Sequence, residues 1–192
     1  MNRTVKLAIG SLIFNLVFCA YNLIFGITSD SWWMLTLGTY YLILSIVRFF
    51  AILSVKNQRL TKKITGVMLM VLSVPLVGTV ILSVVRDRGH ELHMIIMIAM
   101  AAYSFTKITI ATISLIKSRQ NSSAQLVTLR NISFADAFVS IFALQRSMLV
   151  SFKGMTESEI QLMNALLGSA VCAIVFLLGL NLILSNKKGS LT

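Results

Sequence analysis

Long apolar runs, separated by short polar linkers, constrain this chain more than any other feature. Crossing about 30 Å of hydrocarbon takes roughly 20 consecutive apolar residues in a helix. Six runs meet that length, at approximately Val5–Ile27, Trp32–Val55, Ile64–Val85, Leu92–Ile116, Leu126–Val150 and Ile160–Leu184. In lipid every backbone N–H and C=O must be paired within the protein, so only helices and closed barrels span. Runs of this length are too long for barrel strands, which need only about 9–11 residues. The expected fold is therefore an all-α membrane protein with six transmembrane helices. Composition agrees, with 57% hydrophobic and 12% charged residues. A soluble domain carries about 25% charge, so a soluble fold is excluded. A disordered chain is excluded by the same apolar content, and two cysteines are too few for a disulfide scaffold.

The fifth run is the least apolar, carrying Arg130, Asp136, Gln145 and Arg146. It is needed as a span because its two flanking linkers otherwise fall on the wrong sides for their charges. Orientation follows from Lys and Arg in short loops, which are retained in the cytoplasm. With the N-terminus inside, the inner segments hold Arg3, Lys6, Lys56, Arg59, Lys62, Lys63, Lys117, Arg119, Lys187 and Lys188, and no acidic residue. The outer loops hold Arg86, Arg88 and Lys153 with Asp30, Asp87, Glu91, Glu157 and Glu159. Both termini are thus expected in the cytoplasm. The net charge of +11 is then mainly an orientation signal and no longer points to nucleic acid. Arg3 and Lys6 before an apolar run resemble a signal peptide, but the expectation is a first span acting as its own insertion signal.

Linkers near Gln58 and Asn121 divide the single transmembrane domain, 1–192, into three consecutive hairpins at approximately 1–58, 59–121 and 122–192. The second helix of each block ends alike: Ile52-Leu53-Ser54-Val55-Lys56, Ile113-Ser114-Leu115-Ile116-Lys117 and Leu182-Ile183-Leu184-Ser185-Asn186-Lys187. Threefold repetition is one explanation. A basic anchor at the end of any span is the other.

Membrane helices associate through small residues and interhelical hydrogen bonds, so packing faces show small or polar side chains three and four apart. The first run has Ala8, Leu12, Asn15, Cys19, Asn22 and Gly26, and the fourth His90, His93, Met97, Met100, Ser104, Lys107, Ala111, Ser114 and Ser118. The fifth has Ser133, Asp136, Ser140, Ala143 and Ser147, and the sixth Ala165, Gly168, Cys172, Val175 and Gly179. Most of these need no explanation beyond bundle packing. Lys107 and Asp136 do, because an unpaired charge at mid-bilayer costs at least about 2.5–3.5 kcal/mol. Counted from the turn near Gln120, an antiparallel pair of helices brings the two to similar depth at about 1.5 Å per residue. An intramembrane Lys107–Asp136 ion pair is expected. It serves either to fix helix register or to form an ion path or ligand contact. The candidate polar path comprises Lys107, Asp136, Ser104, Ser133 and Ser140, with Arg48 from the second run. Arg48, Arg130 and Arg146 lie nearer the span ends, and snorkelling to headgroups would account for them. An aromatic interface belt would account for Trp32 and Trp33.

His90, His93, Met97 and Met100 form one stripe whose imidazole and thioether groups suit Cu(I). The competing explanation is that Met simply fills gaps in apolar helices. No nucleophile elbow, His-Glu-x-x-His helix or phosphate-binding glycine loop occurs. A pair of carboxylates inside the membrane is excluded, since Asp136 is the one acidic residue within the spans. No enzyme activity and no cofactor are therefore expected.

Ser31-Trp32-Trp33, Tyr40-Tyr41-Leu42-Ile43-Leu44 and Arg48-Phe49 resemble a pattern in small, uncharacterised bacterial six-helix membrane proteins. In size and helix number the chain is also similar to the substrate-binding S components of energy-coupling-factor transporters, and more loosely to hairpin-repeat acid-stress membrane proteins. The S-component resemblance implies solute binding among six helices and docking on a partner through small residues of the first. Ala8, Leu12 and Asn15 occupy that seam here, with Leu12 departing from an alanine-rich pattern. The expectation is a transport-related protein of the bacterial inner membrane, either a solute-binding transporter subunit or a small permease or channel. The alternative is a non-transporting assembly protein. Its partners would be the lipid bilayer, a small solute or ion, and a partner membrane protein or a second copy.

Overall fold

The sequence leaves the chain few places to turn, and the structure turns at them. A computed structural model describes residues 3–53, 58–85, 94–120, 124–151 and 154–188. It contains six helices and no strand among these residues: α1 (Arg3–Thr28), α2 (Trp32–Leu53), α3 (Gln58–Val85), α4 (Met94–Gln120), α5 (Ala124–Ser151) and α6 (Glu157–Lys188). Five of them, α1, α2, α3, α5 and α6, are long and apolar enough to cross a membrane. In α4 the apolar stretch among described residues is Met100–Ile116. Among the five, α5 is the least apolar, as the sequence suggested; Lys107 lies at the centre of α4.

The α1–α2 connection is closed by a left-handed residue, Asp30 at φ 49°. The Ser31 N–H reaches back to Gly26 O at 3.0 Å, and the helix ends in a Schellman turn. Asp tolerates this conformation better than most side chains. The two helices then run antiparallel and close together. A Cβ on Gly38 would lie within 2.8 Å of Leu23, and one on Gly26 within 3.0 Å of Leu35.

Helices α3 and α6 make the most extensive pairing, followed by α1 with α2 and α4 with α5. The three sequence blocks are thus not seen as three packed pairs, since α3 lies chiefly on α6 and α4 on α5. The α3/α6 contact is made backbone to backbone. A Cβ on Gly66 would come within 2.8 Å of Gly179 O, and one on Gly179 within 2.7 Å of Gly66 O. Small residues permit this approach, and dispersion contacts along the touching helices replace the hydrophobic drive that lipid cannot supply.

Helix α5 is the centre of the bundle, contacting α2, α3, α4 and α6. Of its spanning window 72% is buried, against 28–50% for the other four spans. That explains its polar sequence. A helix shielded from lipid on most sides can hold Asn131, Ser133, Asp136, Ser140 and Ser147, all buried, while its neighbours supply the apolar exterior. Ile13, Val17, Ile24, Phe50, Val74, Phe105, Leu166 and Leu177 all point outward. Polar inside and apolar outside is the arrangement expected of a protein dissolved in lipid, and the chain is a membrane protein by this measure.

Candidate functional site

Four helices deliver charged or polar side chains to one point. Asp136 lies at the middle of α5 and is 0% exposed, and Lys107 lies at the middle of α4. The Lys107 ammonium Nζ stands 2.6 Å from Asp136 Oδ2. The Arg48 guanidinium of α2 reaches the same oxygen, Nη2 to Oδ2, at 2.9 Å. From α1 come Ser11 and Asn15, both buried. Lys107 Nζ also donates to Ser11 O at 3.2 Å and Ser11 Oγ at 2.9 Å, and to Asn15 Oδ1. Arg48 Nη1 donates to Ser11 Oγ, and that hydroxyl in turn donates to Asp136 Oδ2 at 3.4 Å. Two cations thus share one carboxylate oxygen, with a hydroxyl between them.

The spacing of the sequence explains the convergence. On α2 the inward face runs Trp33, Leu37, Tyr40, Tyr41, Leu44, Val47, Arg48 and Ala51, at helical three-and-four steps. Arg48 is the one position on it that carries charge. On α4 and α5 the expected seams are the inward faces: Met100, Ser104, Lys107, Ala111 and Ser114 are buried, as are Ser133, Asp136, Ser140, Ala143 and Ser147. Ser104 Oγ donates to Ser140 O at 2.9 Å, one turn from the ion pair, and locks the two helices in register. Ser133 is buried on the same face of α5, one turn to the other side.

On one side the cluster is closed by aromatic rings. Phe18 stacks on Tyr103 at 4.2 Å and 10°, and Tyr41 meets Phe18 edge-on at 5.1 Å. Tyr103 donates to Asn15 Oδ1 at 3.1 Å, and Lys107 Nζ lies 5.1 Å from the centre of its ring. These aromatics precede Arg48 on α2 and Lys107 on α4, and follow Ser11 on α1. They therefore stand toward the α1–α2 turn. Away from that turn the inward positions include the small Ala8, Ala51, Ala111, Ser114 and Ser133 beside the larger Leu129 and Ile132.

Two expectations are corrected. Arg48 and Arg146 do not snorkel to headgroups, being 1% and 2% exposed. Arg48 finds a carboxylate inside the bundle, and Arg146 stacks over Trp33, its Cζ 4.2 Å from the ring centre. The tryptophans accordingly divide: Trp32 is exposed as a belt residue would be, while Trp33 is buried beneath Arg146. Snorkelling is unnecessary where an acid or an aromatic face is within reach. Of the candidate metal stripe, His90 and His93 lie outside the described residues. Met97 is half-buried, and Met100 is buried with its sulfur accepting from Ser147 Oγ at 3.5 Å. The docking seam implied for α1 also faces inward, with Ala8 and Asn15 buried in this chain. Sequence reading did not assign Ser11 and Asn15 to the ion site. Asn15 was visible only as a packing-seam residue, and Ser11 carried no signal separable from ordinary packing.

Comparison with protein-family models, with curated proteins and with solved structures finds no match to the chain.

Proposed function

We propose that this is a small transport-related protein of the bacterial inner membrane, either a permease or channel or the solute-binding subunit of a transporter. On this reading all six helices span the membrane and both termini are cytoplasmic, as the basic inner linkers favour. The observation that carries the proposal is the Arg48–Asp136–Lys107 cluster, buried at the midpoints of α4 and α5. Ionised groups at that depth are costly, and in membrane proteins they mark solute paths and coupling centres. A cluster retained only for packing would be replaceable by apolar residues at little or no loss of stability. The polar path then runs along the α4/α5 seam, between the aromatic rings on one side and the small residues on the other. The assembly alternative needs small-residue seams facing outward. In α1, α4, α5 and α6 those seams meet inside the chain, which weighs against it.

Reconstitution into liposomes tests the proposal. Protein-dependent uptake of a solute, or a solute retained through purification and detected by native mass spectrometry, is the expected result. Uptake should fall at least tenfold in Lys107→Met. Vesicles that stay tight to cations, anions and neutral solutes alike, with no bound solute, would sink it.

A further inference from the structure

The charge of the buried cluster is fixed by its hydrogen bonds. Four acceptor atoms surround Lys107 Nζ: Ser11 O, Ser11 Oγ, Asn15 Oδ1 and Asp136 Oδ2. An ammonium serves three of these acceptors where a neutral amine would serve two, and the carboxylate at 2.6 Å favours the charged form. Arg48 stays charged in proteins. Asp136 Oδ2 receives Lys107, Arg48 and Ser11, which is the environment of a carboxylate. Two cations therefore face one anion. Among the described residues no other acid is available to balance them: Asp30 lies in the α1–α2 turn, and Glu157 and Glu159 in the first turn of α6. Arg130 and Arg146 carry further positive charge along α5, roughly 9 and 15 Å to either side of Asp136 at about 1.5 Å per residue.

Buried polar atoms without a hydrogen-bond partner include one acceptor of the cluster, Asp136 Oδ1, and donors around it. Asn15 Nδ2 is buried and without a hydrogen-bond partner. Turning the amide cannot hide it, because Oδ1 is held by both Lys107 and Tyr103. The Tyr40 hydroxyl, 0% exposed, is likewise without a partner. Excess positive charge in a low-dielectric interior, together with free N–H and O–H groups, is how proteins select anions.

We infer that the cluster is a binding site for a small monovalent anion, of the size of chloride, held by the surplus charge of Arg48 and Lys107 with Asn15 Nδ2 and Tyr40 as hydrogen-bond donors. This deepens the transport reading by naming the class of solute. The binding itself is testable without transport.

The experiment measures radiolabelled chloride bound to the purified full-length protein in detergent, with gluconate keeping ionic strength constant. Wild type should bind saturably. Lys107→Met and Arg48→Met each leave a neutral ion pair, and each should weaken binding at least tenfold. Asp136→Asn should tighten it. Should Asp136→Asn fail to fold, the double variant Lys107→Met with Asp136→Asn carries the same test. It restores one surplus cation, so it should bind at least tenfold more tightly than Lys107→Met alone. No saturable binding by wild type, or equal binding by all folded variants, overturns the inference. The inference also fails if Asp136→Asn abolishes binding while Lys107→Met keeps it, the pattern of a cation site. Chloride binding without flux in liposomes leaves the anion site standing and removes the transport reading. Flux of a cation or neutral solute without chloride binding does the reverse.

Discussion

Replacing Asp136 by Asn is the sharpest perturbation the structure offers, because it keeps the shape of the side chain and removes only its charge. At 2.6 and 2.9 Å from its two cations, each attraction is roughly 6 kcal/mol at an effective dielectric of about 20. Desolvation of the three groups offsets most of that, so the net loss is much smaller than the sum. Removing one partner of a buried ion pair costs about 3–5 kcal/mol, since the remaining charge is stranded. Here two cations are stranded together, and the upper part of that range applies. For a chain of this size the unfolding midpoint should fall by on the order of 10 °C. Equilibrium unfolding in mixed micelles, followed by helical circular dichroism, measures it. Adding Lys107→Met to Asp136→Asn removes one stranded cation and should recover about 2 kcal/mol. Lys107→Met alone should cost less than half of what Asp136→Asn costs, because Arg48 and Asp136 remain a neutral pair. A double variant no more stable than Asp136→Asn alone would refute the energetic coupling of Lys107 and Asp136.

Four further outcomes follow from the packing and capping of the helices. Gly66→Ala pushes a methyl group against Gly179 O and Ile183 and should cost about 1–3 kcal/mol. Gly78→Ala meets nothing within 4 Å and should be neutral or stabilising by up to about 1 kcal/mol; the same unfolding assay separates the two. Arg146 over Trp33 predicts a coupling of about 0.5–2 kcal/mol in a double-mutant cycle of Arg146→Met and Trp33→Leu. Thr156 and Glu159 form a capping box at the start of α6, each oxygen serving the other's backbone N–H, at 2.8 and 3.4 Å. Thr156→Ala should therefore cost about 0.5–2 kcal/mol and speed hydrogen exchange in the first turn of α6.

The helices were legible in the sequence because lipid imposes a length and a composition that nothing else requires. The inward faces of α4 and α5 were legible for a related reason, as small and polar residues at helical spacing have few uses inside a membrane except packing. That spacing singled out Lys107 and Asp136. What escaped is what depends on which helices touch. Arg48 looked like an end-of-span anchor until α2 was placed beside α5, and Arg146 until Trp33 was found beneath it. The α3/α6 pairing rests on Gly66 and Gly179, two glycines 113 positions apart. Neither residue marks its partner. The polarity of α5 was visible in its four polar residues, but its reason, neighbours on most sides, was not.

The central place of α5 also bears on how the chain is made. Synthesis delivers α1 to α4 first, and until α5 arrives the half-built protein holds Arg48 and Lys107 without their acid. Helix α5, polar along its inward face, gains most from entering lipid once those earlier helices can receive it. Asp136 is thus the residue that completes the structure. A chain stopped before it would hold Arg48 and Lys107 with no acid beside them.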